Sequence, residues 1–233
     1  MHLEKNTVYI WSALLTDFIK EEKFLFLLLR DDEIKQANSF FHSLHRQQYI
    51  ISRGLLRKKL SEYTGILGQN IQLSYGEHGK PYLAENPLNL HFNVSHSHER
   101  VIYAFTLYFD IGIDIERINP LYEDDIAKQC FNPAEYEALC ELPESEQRTA
   151  FYQIWSCKEA FIKSVGNGLL LSLSDFYISL VSKKQIIFFK KQSYHVEHVL
   201  IDPLYASAFA TKSLTNPAVI VQEIAPTPPN QVL

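Results

Sequence analysis

The stretch DIGIDIERI, residues 110–118, decides how this chain is read. Successive side chains of an extended strand point to opposite faces. Ile111, Ile113 and Ile115 therefore face one way, and Gly112, Asp114 and Glu116 the other. The isoleucine face builds a core. The other face, with two carboxylates two residues apart, is either an ordinary solvated acidic face or the wall of a pocket, and alternation alone does not choose between them.

The bulk properties narrow the choice. At 233 residues the chain is large enough for one big domain or two halves of roughly 110 residues. A hydrophobic content of 46% with 13% aromatics describes a folded protein with little room for long disorder. The formal charge of −5 argues against a general nucleic-acid binder, which needs a net basic footprint. Cys130, Cys140 and Cys157 form no C-x-x-C pair, and an odd count with no secretory layout at MHLEKNTVYI is read as cytoplasmic. The longest apolar run, residues 24–29, is far below the roughly 18 residues of a membrane span, so it reads as a core-facing helix start or strand.

Working outward, the first half opens with a strand over 8–15, then a helical region over 35–65 stopped by Gly65. Strands follow at 71–75, 91–96 and 101–107. The second half starts with the strand at 110–118. Asn132, Pro133 and Glu135 announce a helix by capping box and N-terminal proline. A longer helix runs from about Gln147 to Val165 and stops at Gly166, with strands at 176–181, 185–190, 205–210 and 219–224 and a frayed tail from Ala225. Strand, helix, then several strands, twice over, gives the expected fold class: α+β, a pseudo-twofold arrangement of two similar halves (1–109 and 110–233), each a small mainly antiparallel sheet packed with helices.

On the long helix at about 100° per residue, Phe151, Ile154, Trp155, Phe161, Ile162 and Val165 share one stripe, while Tyr152, Ser156, Glu159 and Lys163 share a neighbouring face. Glu159 and Lys163 form either a surface i,i+4 pair or part of a site. Lys158 falls in the apolar stripe, where an ammonium needs an anion to meet. Asp114, Glu116 and Glu159 offer the oxygen ligands of a Mg²⁺ site completed by water and a substrate phosphate. With a lysine nearby this is a kit for phosphoryl chemistry. In HFNVSHSH, residues 91–98, Asn93, Ser95 and Ser97 share one face, and Asn93, Ser95 and His96 could hydrogen-bond a phosphate or ribose. Cys157 lies off the Glu159/Lys163 face and is not read as a nucleophile.

FNVSHS, GIDIE and WSCKEAFIK, in this order and preceded by GKP at 79–81, strongly resemble the motifs of the surfactin-synthetase-activating (Sfp) type of 4'-phosphopantetheinyl transferase. The resemblance extends from about Lys35 to Gly168. It implies transfer of the 4'-phosphopantetheine arm of coenzyme A to a serine of an acyl or peptidyl carrier protein, with release of 3',5'-ADP. By that likeness Asp114, Glu116 and Glu159 bind Mg²⁺, with Gly112 leaving room for the ligand. Glu159 is the candidate base, Lys163 neutralises the pyrophosphate and assists the departing ADP, and Asp114 completes the catalytic set. The same likeness assigns Arg46, Arg53, Lys80, Ser95, His96, Lys158 and Lys163 to coenzyme A. It also implies a monomer, since one chain supplies both halves, with no membrane or nucleic-acid partner. Fatty-acid, polyketide and nonribosomal-peptide carriers all stay open. The rival readings are a Mg²⁺-dependent phosphohydrolase acting on a nucleotide or coenzyme A, and a non-catalytic binding relative.

Overall fold

The computed structural model describes residues 3–120, 124–166, 171–212 and 216–227. Two four-stranded sheets carry the fold. β1 (Thr7–Leu14), β4 (Leu90–Ser97), β5 (Arg100–Leu107) and β10 (Ala218–Glu223) form the first, in the order β10-β1-β5-β4. β6 (Ile111–Arg117), β7 (Lys184–Phe189), β8 (Gln192–His198) and β9 (Tyr205–Thr211) form the second, in the order β6-β9-β8-β7. Among the described residues all pairings in these sheets are antiparallel except β1 with β10. A short ribbon of β2 (Leu73–Tyr75) and β3 (Pro81–Leu83) stands apart. This is the α+β architecture expected from the sequence, with one difference. Residues 218–223, assigned to the second half by order, return to pair with β1 in the first sheet.

Each sheet is covered by a 22-residue helix, α3 (Ser43–Thr64) on the first and α6 (Glu144–Val165) on the second. Both helices end at a glycine with a φ of 74°, Gly65 and Gly166, a left-handed conformation that costs other residues a Cβ clash. Ile51, Leu55, Leu60 and Tyr63 of α3 pack on Tyr9, Trp11, Tyr103 and Phe105. Phe151, Ile154, Ala160 and Phe161 of α6 pack on Tyr194, Val196, Ala208 and Ala210. The isoleucine face of β6 does what alternation requires: Ile111, Ile113 and Ile115 form a third core with Val8, Ile10, Ile102 and Phe209 between the two sheets. Burying such side chains contributes about 1.5–3 kcal/mol each.

Smaller helices are α1 (Glu22–Phe26), α2 (Asp31–Ser39), α4 (Asp124–Cys130) and α5 (Pro133–Cys140). α5 has the expected cap: Asn132 accepts from the Ala134 amide, and Glu135 accepts from the Asn132 amide. Three other expectations change. The helical region over 35–65 is two helices, α2 and α3, broken where Phe40 and His42 are extended and Ser39 Oγ donates back to the Gln36 carbonyl. Residues 176–181 are not a strand, because Lys158 and Glu135 take the Phe176 carbonyl and Ile178 amide that a ladder would use. The strand over 192–198 escaped the sequence reading because its hairpin turn is Lys190-Lys191, both at positive φ, where the usual signal is Asn or Gly. The tail is anchored at its start, since the Thr227 amide donates to Glu21; residues 228–233 lie outside the described residues.

Candidate active site

β4 and β6 are edge strands of different sheets and run side by side. Side chains join them where no backbone ladder does. Asn93 Oδ1 accepts from the Ile113 amide (2.9 Å), Ser95 Oγ donates to Asp114 Oδ1 (2.9 Å), and Ser97 Oγ donates to Glu116 Oε2 (3.1 Å). α6 closes the third side. Lys163 Nζ donates to Asp114 Oδ1 at 2.6 Å and to Ser95 Oγ at 3.1 Å.

Gly112 is what allows α6 so close. A Cβ there would overlap the Ala160 carbonyl oxygen and the Ser164 amide nitrogen, so the missing side chain makes room for the helix backbone and not, as the sequence suggested, for a ligand.

The electrostatics couple the carboxylates. Burial, and next the charge of Asp114, push the Glu116 carboxyl up to about 7, with Glu159 adding to the rise and Ser97 and Lys163 opposing it. Burial raises Glu159 as well; Lys163 lowers it and Asp114 raises it. Asp114 itself is buried, and its Oδ2 has no hydrogen-bond partner among the described residues. Three mutually repelling carboxylates and an orphaned anionic oxygen form a donor set that suits a hard divalent cation. As they stand, among the described residues no group of three His, Cys, Asp or Glu side chains is gathered closely enough to hold a metal ion.

The other expected residues are spread around this centre. His96 continues the core face of β4 past the core and lines a groove of about 680 Å³ with Leu15, Ile19, Phe40, Leu44 and Arg117. Burial and Lys163 lower its pKa. Lys80 Nζ donates to the carbonyls of Ile111 (2.7 Å) and Lys163 (2.9 Å), tying the GKP turn to β6 and to the last turn of α6. Burial brings its ammonium down to about 8. A pocket of about 320 Å³ opens beside it, lined by His78, His91, Asp110 and Gly166 among others. Arg53 lies by a second recess with Tyr49 and Tyr75, its Nε 3.5 Å from Glu33 Oε1. Arg46 is engaged by Glu22 (3.5 Å) and packs on Phe26.

Lys158 is not at this centre. Its side chain is 0% exposed, as is that of Glu135, with 2.8 Å between Nζ and Oε1. It also donates to the carbonyls of Leu173 (2.6 Å) and Phe176 (2.8 Å). The anion demanded by an ammonium in the apolar stripe is thus Glu135, and the assignment of Lys158 to coenzyme A is corrected. Sequence reading missed Ser97 as a partner of Glu116; its place on the Asn93/Ser95 face was the available signal. Cys157 is buried with its thiol pushed up, which fits a packing role.

Carboxylates from an edge strand of one sheet and the Glu159/Lys163 face of α6 thus meet beside the edge strand of the other sheet. A family model described as "4'-phosphopantetheinyl transferase, N-terminal" matches residues 14–107, and one for the 4'-phosphopantetheinyl transferase superfamily matches 110–211. Curated relatives span most of the chain. The 4'-phosphopantetheinyl transferase HetI of Nostoc sp. is 34% identical over 72% of each chain. The 4'-phosphopantetheinyl transferase Sfp of Bacillus subtilis is 32% identical over 81% of this chain and 84% of its own. The 4'-phosphopantetheinyl transferase psf-1 of Bacillus pumilus is 31% identical over 76% of each. The chain belongs to the 4'-phosphopantetheinyl transferase superfamily. Among the described residues no helix is long and apolar enough to cross a membrane.

Proposed function

We propose that the protein moves the 4'-phosphopantetheine arm of coenzyme A onto a serine hydroxyl of an apo acyl or peptidyl carrier protein and releases 3',5'-ADP. The observation that carries this reading is the Lys163–Asp114–Ser95 contact beside Glu116 and Glu159, in a chain whose relatives bear the transferase name. The serine oxygen attacks the phosphorus bearing the pantetheine arm. The bond from that phosphorus to the bridging oxygen breaks, and the electron pair leaves with 3',5'-ADP. Glu159 takes the serine proton directly or through a water. Lys163 sets a positive charge near the bridging oxygen that gains negative charge as it departs on the 5'-phosphate of 3',5'-ADP. Asp114, Glu116 and Glu159 would hold Mg²⁺, which supplies charge neutralisation at the pyrophosphate. Arg46, Arg53, Lys80, Ser95 and His96 are the proposed contacts to coenzyme A. Because both halves come from one chain, we read the protein as a monomer, and as cytoplasmic.

The test is to incubate the protein with coenzyme A, Mg²⁺ and an apo carrier protein and to weigh the carrier. A gain of one phosphopantetheine supports the reading. Phosphate release with an unmodified carrier would mean a phosphohydrolase, and no reaction would mean a binding relative. Asp114→Ala should remove transfer together with its metal dependence; near-normal turnover at unchanged Mg²⁺ dependence would sink the metal assignment.

A further inference from the structure

We infer that Ser95 and Ser97 are a matched pair of positioning residues, each fixing one oxygen of the carboxylate across from it and leaving the other oxygen for a divalent cation. The inference rests on the metal assignment proposed above.

The polarity of each hydroxyl is set by a neighbour that can only donate. Ser97 Oγ accepts from the Arg117 amide at 3.1 Å, and Ser95 Oγ accepts from the Lys163 ammonium at 3.1 Å. An amide N–H and an ammonium have no lone pair to offer, so neither can take the serine proton. Each serine has one proton: Ser95 gives it to Asp114 Oδ1, while Ser97 has two acceptors in reach, Glu116 Oε2 at 3.1 Å and His98 Nδ1 at 3.4 Å, and the shorter contact is the one to the carboxylate. Both serines are buried, at 7% and 9% exposure, which limits the access of water to these bonds.

The strand period makes the device repeat. Ser95 and Ser97 are two apart on one face of β4, Asp114 and Glu116 are two apart on one face of β6, and these edges share no backbone ladder. The two hydroxyls therefore orient the carboxylates where main-chain pairing does not. On Asp114 the result is visible as an asymmetry. Oδ1 is shared by Ser95 and Lys163, while Oδ2 is buried with no partner among the described residues. A buried anionic oxygen left bare is costly, and a metal ion is the partner that would remove that cost. Hydrogen bonds from surrounding residues that orient ligand side chains commonly contribute 10–100-fold to metal affinity.

The experiment is calorimetric titration of Mg²⁺ alone into the full chain, with Mn²⁺ followed by electron paramagnetic resonance as a second probe. Ser95→Ala and Ser97→Ala should each weaken Mg²⁺ binding by about 10-fold, while Ser95→Thr and Ser97→Thr, which keep the hydroxyl, should stay within about 3-fold of the parent. Thermal unfolding of all four variants separates these changes from loss of fold. Alanine variants that are folded and bind Mg²⁺ as the parent does would overturn the inference, as would threonine variants that lose affinity as much as alanine ones. A parent protein that binds neither cation overturns the metal assignment itself, an outcome distinct from the failure of the serine roles alone.

Discussion

Two lysines five residues apart on α6 meet two carboxylates, and the pairs differ in every respect that matters. Lys158 and Glu135 are both sealed, and each spends its remaining hydrogen-bonding capacity on the chain around it: Leu173 and Phe176 carbonyls for the lysine, Ile178 and Asn132 amides for the glutamate. Lys163 keeps 30% of its side chain exposed, and its partner Asp114 has an oxygen with no partner among the described residues. A closed pair holds structure in place; an open pair has capacity left for a ligand. The neighbours Lys158 and Glu159 on one helix thus belong to different tasks, one to the fold and one to the site.

The widest separation between the pairs is expected in stability. Lys158→Met leaves Glu135 buried without its cation and should cost about 3–5 kcal/mol in denaturant unfolding, a large share of a typical total stability of about 5–15 kcal/mol. If this variant unfolds at the parent's midpoint, the closed pair is not what holds residues 173–178. Next comes Lys163→Met, which keeps the stem and deletes the charge. It should lower turnover by about 10²-fold, or about 2.7 kcal/mol, with a smaller loss of coenzyme A affinity and little change in unfolding. Preserved turnover at saturation with lost coenzyme A binding would make Lys163 a ground-state anchor. A smaller effect sharpens the open site. With the Glu116 carboxyl pushed up to about 7, Mg²⁺ must displace a proton below that pH. Affinity should rise as pH goes from 6 to 7 and level off above it, with proton release measured in buffers of different ionisation enthalpy. The smallest change is expected where the closed pair is replaced whole. Lys158→Met with Glu135→Leu should recover stability to within about 1–2 kcal/mol of the parent, since well-packed apolar replacements of a buried pair are often neutral.

Much of this was legible in the sequence because it is written in period. The alternation at 110–118 gave the core face and the carboxylate face, and helical spacing put Glu159 beside Lys163 and Lys158 into the apolar stripe. Contacts between distant segments left weaker traces. That Glu135 answers Lys158 could not be read from a position 23 residues earlier whose capping role already explained it. Gly112 was read as space for a ligand because nothing in one strand announces how near a helix backbone comes. The hairpin at Lys190-Lys191 hid because lysines there adopt a conformation that composition assigns to other residues. Ser97 lay in plain view on the right face, but its worth depends on the Arg117 amide, and a main-chain group has no letter in the sequence.

The return of β10 to the first sheet has a consequence for how the molecule comes into being. During synthesis β1 leaves the ribosome among the first elements, but the strand that covers its outer edge is made more than two hundred residues later. Until then β1 presents a bare row of amides and carbonyls, the kind of edge that recruits strands from neighbouring chains. At about 5–20 residues per second that exposure lasts on the order of ten seconds or more. A nascent chain of this protein is thus most prone to self-association before its first sheet is completed, and Ala218–Glu223 is the segment whose arrival ends the risk.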